Sequence, residues 1–250
     1  MKFNTLVLES DKETEKKAHL PVRTTSDYLR RKRRENLPPL INRSFFLCRI
    51  VEEELKGIDL DGSGKITICA HDIRTYPRED KYICDPSFHI SIYYLEQEQI
   101  DALDKAVDNG SESIVIARVL RDSLLDIARR SNRSEEIIQT IENAFEHMIN
   151  SHFAREERIA KLTKRSGNTG LTASVYRVLS EETGEGWYIK ITDRKGNVLR
   201  QETIGDGTRY VNRLGSRLYA KAEWREDTFV IMERFGKVVF SIDLNQRIGV

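Results

Sequence analysis

Lys164-Arg165-Ser166-Gly167-Asn168-Thr169-Gly170 divides the 250-residue chain into two kinds of sequence. Small, polar and basic residues interrupt every apolar pattern there, so the stretch reads as a boundary. Beyond it the apolar residues alternate at a period of two. Candidate strands are Thr172–Ser180, Trp187–Thr192, Val198–Thr203, Tyr219–Trp224, Thr228–Glu233 and Val238–Asp243. The turns between them, at Thr183-Gly184, Lys195-Gly196-Asn197, Glu226-Asp227 and Phe235-Gly236, are short. Short turns join antiparallel neighbours. Apolar side chains mark only one face, so the other face is expected to meet water.

Before the boundary, helical and strand patterns mix. Phe46, Leu47, Ile50, Val51 and Leu55 recur at helical spacing after Ser44, and Gly57 ends that run. Ile58–Leu60 and Lys65–Cys69 flank Asp61-Gly62-Ser63-Gly64 and read as a hairpin. Lys81–Cys84 and Phe88–Tyr94 read as strands around a turn at Asp85-Pro86, the second alternating with Phe88, Ile90 and Ile92 on one face and His89, Ser91 and Tyr93 on the other. Helices are expected over Glu96–Val107 and Ser113–Arg130, with a strand over Ile114–Leu120 as the alternative within the second stretch. Another helix starts at Ser134 with Glu135 and Glu136 in its first turn and is expected to run to about residue 162. The fold class is therefore α+β. A basic arm with a short helix (1–44) precedes a mixed α/β region (45–165), and an antiparallel β region (166–250) forms a sheet, half-sandwich or small barrel.

Charge is unevenly placed although the net value is only +1. Residues 1–44 hold 11 Lys and Arg against 6 Asp and Glu, whereas residues 45–165 hold 17 against 23. An acidic middle region attracts a basic partner and speeds its encounter. The run Leu6–Leu8 is far short of a signal-peptide core, and no stretch is apolar enough to span a membrane. Three cysteines, Cys48, Cys69 and Cys84, lack any CxxC pair. An odd thiol count suits the cytoplasm, with the thiols serving as small buried apolar groups.

Few motifs carry chemistry. Asp59, Asp61, Ser63, Lys65 and Thr67 fall at the spacing of the first nine positions of a calcium loop, and the stretch resembles an EF-hand there. Position twelve is Ala70, where the bidentate carboxylate would stand. Arg30, Arg31, Lys32, Arg33 and Arg34 form a cationic run suited to phosphate backbones or to an acidic protein face. His147 and His152 lie five residues apart, about 140° around a helix, which does not pair them on one metal. His71 and His89 read as isolated histidines. There is no nucleophile elbow, and the glycine pairs at 184–186 and 205–207 sit between strands.

These features lean away from an enzyme and name no catalytic residue or cofactor. The reading they favour is a cytoplasmic protein that binds another protein. One form is a bacterial immunity-type inhibitor whose acidic surface covers a basic effector or toxin. The alternatives are a nucleic-acid-binding regulator using residues 30–34, and an enzyme whose site is assembled from distant residues.

Overall fold

The computed structural model describes residues 2–10, 39–71, 80–205 and 218–244. The fold is α+β, with five α-helices, three sheets and no closed barrel among these residues. The chain forms two compact units, Met1–Phe153 and Ala154–Val250. The Lys164–Gly170 stretch lies inside the second unit.

The first unit is built on a mixed sheet of β1 (Thr5–Ser10), β2 (Lys65–Ala70), β3 (Tyr82–Asp85) and β4 (Ile90–Tyr94), in the order β1-β2-β4-β3. β1 and β4 both run parallel to β2, and β3 closes the sheet antiparallel to β4. The expected hairpin at 58–69 is thus corrected. Residues 58–60 form no strand, and β2 pairs with strands distant in sequence. The physical reason is visible in Ile66-Thr67-Ile68-Cys69-Ala70, which is buried on both faces. Burial on both faces suits a covered parallel strand better than a half-wet hairpin. β4 alternates as expected, and its more buried face is that of Ser91 and Tyr93, with Ile90, Ile92 and Tyr94 half-buried on the other.

Helices α1 (Leu40–Arg43) and α2 (Phe45–Glu54) pack on β1. Of the later helices α3 (Gln97–Asn109), α4 (Glu112–Arg130) and α5 (Glu135–Asn150), α4 packs against both α3 and α5. Glu96 and Gln99 close a reciprocal capping box at the start of α3. α5 ends at Asn150, not near 162. His152 and Phe153 take left-handed φ values of 52° and 55°. Their N–H groups donate back to Ile149 and Met148, and Phe153 is buried. That is a Schellman ending built without the usual glycine.

Glu52 of α2 fastens the helix layer to the edge strand. It is 8% exposed, and its Oε1 accepts the Leu6 backbone N–H of β1 at 2.8 Å. Burial raises its pKa, while the Leu6 N–H and the Arg49 guanidinium pull the other way.

The second unit stacks two antiparallel sheets on one core. The larger holds β5 (Arg155–Arg158), β6 (Lys164–Arg165), β7 (Thr172–Ser180), β8 (Gly184–Thr192) and β9 (Val198–Thr203). The smaller is a meander of β10 (Lys221–Arg225), β11 (Thr228–Met232) and β12 (Val238–Asp243). Val175, Trp187 and Ile189 from the first sheet share a cluster with Phe229, Ile231 and Ile242 from the second. At one end of this inward face, Arg177 and Glu185 form a buried ion pair at 2.9 Å.

Because Glu52 satisfies a buried backbone donor, Glu52→Ala is expected to cost about 1–3 kcal/mol in urea unfolding. Glu52→Gln keeps an accepting oxygen and is expected to stay within about 1 kcal/mol of wild type. Equal losses in the two variants would contradict the role given to the Leu6 hydrogen bond.

Candidate functional site

The Asp59–Thr67 loop is held by its own hydrogen bonds. Asp59 Oδ1 accepts the Gly62 N–H at 2.7 Å and Arg133 Nη2 at 2.9 Å. Arg133 also donates from Nε to the Leu60 carbonyl at 3.0 Å. It reaches the loop from the end of α4, where Asn132 takes a left-handed φ of 52°. Asp61 Oδ1 accepts the N–H and hydroxyl of Ser63 at 2.8 and 2.6 Å, and Oδ2 accepts the Tyr82 hydroxyl at 2.8 Å. Burial, and the bond to Asp61, raise the Tyr82 pKa. Lys65 is exposed and begins β2, and Thr67 is buried within it, so a strand follows where an EF-hand has its second helix. Arg30, Arg31, Lys32, Arg33 and Arg34 lie outside the described residues.

A different group gathers at the carboxyl ends of the parallel strands. In the β1–β2 register Glu9 stands opposite Cys69, and in the β2–β4 register Cys69 stands opposite Tyr94. His71 follows two residues after Cys69, at the spacing that returns a side chain to the same face of a strand. One donor atom each from Glu9, Cys69 and His71 lies within 4.8 Å of the others. The Cys69 Sγ to Glu9 Oε1 distance is 3.8 Å. The His71 and Tyr94 rings are 6.1 Å apart and tilted by 57°.

Sequence reasoning missed this group. By linear spacing alone His71 stands isolated and the thiols read as buried apolar groups. Cys48 fits that description, its pKa pushed up to about 12 by burial, with the Glu52 charge adding to it. Cys84 does not, because it is exposed. The signal available in the sequence was Cys69-Ala70-His71, two ligand types at strand spacing. Glu9 joins them only through the parallel register.

On the opposite face of β4, Tyr93 is 1% exposed and donates its hydroxyl to Asp126 Oδ2 of α4 at 2.8 Å. Arg130 Nε donates to the same oxygen at 3.0 Å, and Lys81 Nζ lies 3.7 Å from it and 3.2 Å from Glu96. Partial burial pushes the Asp126 carboxyl up. The hydrogen bonds from Tyr93 and Arg130 and the charges of Arg130 and Lys81 outweigh this, holding it below the usual carboxylate range. This group clamps α4 to the sheet.

The exposed sides of α5 and α3 are acidic, whereas α4 between them exposes Arg118, Arg129 and Arg130. α5 carries Glu135, Glu136, Glu142 and Glu146, all exposed, and no Lys or Arg. α3 adds exposed Glu98, Asp101 and Asp104. Between α4 and α5 lies an open groove of about 440 Å³, with Leu125, Phe145 and Ile149 as apolar lining and Glu142, Glu146 and Arg121 at its rim. Ile149 is 48% exposed there.

No family model matches the chain, and no curated protein or solved structure matches it either.

Tyr93→Phe removes a hydrogen bond to a charged acceptor and is expected to cost about 1.5–3 kcal/mol in urea unfolding at neutral pH. The stability that Asp126 supplies is present above the unfolded-chain carboxylate value of about 4 and is lost as pH falls through its lowered folded value. In the variant the Asp126 titration, followed by NMR, should move to higher pH. An unmoved titration with unchanged stability would contradict the clamp.

Proposed function

We propose that this is a cytoplasmic protein that binds a basic protein partner through the acidic helical face around the α4–α5 groove. The observation that carries the reading is the groove itself, lined by the apolar Leu125, Phe145 and Ile149 beside an α5 that is rich in exposed Glu and holds no Lys or Arg. A partner segment with one or two apolar anchors and flanking Lys or Arg matches both parts. The anchors supply desolvated contact area, and the flanking cations supply steering and orientation. An immunity-type inhibitor covering a basic effector is one form such a protein takes. The middle region's acid excess agrees with this reading.

The test compares wild type with a variant carrying Glu142→Lys, Glu146→Lys and Ile149→Asp. All three positions are exposed, so the variant should fold. Proteins captured from the native cell by wild type and lost by the variant are purified and titrated at low and high salt. The reading expects a basic partner whose affinity falls roughly tenfold or more between the two conditions, because exposed charge pairs are screened. Capture unaffected by the three substitutions, or affinity indifferent to salt, would overturn it.

A further inference from the structure

We propose that Glu9, Cys69 and His71 form a zinc-binding site at the carboxyl ends of β1 and β2, independent of the acidic helical face. The three side chains come from two parallel strands and the residue just beyond one of them. The register fixes Glu9 beside Cys69, and the strand period brings His71 to the same face. In open sheets, the carboxyl edge of parallel strands is where ligands commonly bind.

The donor set selects the metal. Thiolate, imidazole and carboxylate together suit zinc, whereas calcium and magnesium take oxygen ligands. Tetrahedral zinc, with bonds of about 2.0–2.3 Å, sets its ligand atoms about 3.3–3.7 Å apart. The Cys69–Glu9 separation of 3.8 Å is already close to that, and all three donors lie within 4.8 Å. Cys69 is buried and held by pairing on both sides of β2. Glu9 and His71 are half-buried on rotatable side chains, so the adjustment of about 1 Å that the proposal requires falls on them and not on the paired strands. The His71 ring is flanked by Tyr94, which limits its orientations. Binding forms the sulfur–zinc bond with loss of the Cys69 thiol proton to solvent, and no atom changes oxidation state. Three protein ligands leave a fourth position for water or an exogenous ligand.

Cobalt(II) is the probe. The full chain, stripped with a chelator and kept reduced, is titrated with cobalt alone. The expected result is saturation at one cobalt per chain. A near-ultraviolet thiolate charge-transfer band and the visible bands of a tetrahedral site should appear, displaced by zinc and not by magnesium. Cys69→Ser should abolish the charge-transfer band, whereas Cys84→Ser should retain it. His71→Ala and Glu9→Gln should each weaken zinc binding roughly tenfold or more in competition with a chromophoric chelator. Circular dichroism checks that each variant is folded. Should Cys69→Ser fail to fold, the His71 and Glu9 variants decide the matter. The proposal is overturned if wild type shows no saturable tetrahedral cobalt spectrum. It is also overturned if the band survives in folded Cys69→Ser, or if His71→Ala and Glu9→Gln both bind zinc as wild type does.

Discussion

The parallel pairing of Thr5–Ser10 with Lys65–Ala70 is the constraint from which the first unit follows. Parallel neighbours cannot be joined by a tight turn, so chain must cross from one end of the sheet to the other. In the described part of that crossing, α1 and α2 lie against β1. β1 is an edge strand, and its Leu6 N–H would be stranded under the helix layer without a partner. Glu52 supplies that partner from α2. The sheet, the helices over it and the register of its first two strands are therefore set together.

The two faces of this sheet carry different chemistry. One holds Leu6, Leu8, Ile66, Ile68 and Tyr93, and is tied to α4 through Tyr93 and Asp126. The other brings Glu9, Cys69 and Tyr94 into line across three strands. A shift of register by one residue would exchange the faces. It would bury Glu9 under the helices and take it away from Cys69 and His71. The acidic face of α5 depends on the same layer at one remove, because α5 packs on α4, which is clamped to the sheet.

The antiparallel unit was legible in the sequence because its signals are local. Thr172–Ser180, Val198–Thr203 and Val238–Asp243 stand in the structure at the expected bounds, each next to a glycine- or aspartate-containing turn. The first unit was less legible because its decisive contacts are distant. Nothing within Lys65–Ala70 says that its partners are Thr5–Ser10 and Ile90–Tyr94, and the adjacent Asp61-Gly62-Ser63-Gly64 points instead to a local hairpin. The end of α5 was hidden because His152 occupies the left-handed position usually marked by glycine. The Glu9–Cys69–His71 group was half visible. Cys69 and His71 share a strand face by spacing alone, and Glu9 reaches them only through pairing that a linear reading does not contain. The acidic character of α3 and α5 was readable as an excess in residues 45–165, but the apolar groove beside it required α4 and α5 to be placed side by side.

The most direct measurement is an NMR map of contacts between backbone protons in the uniformly labelled protein, recorded across β1, β2 and β4. The account predicts parallel cross-strand contacts linking Val7 with Thr67, Glu9 with Cys69, and Cys69 with Tyr94. An antiparallel pattern, or a register displaced by even one residue, would contradict it.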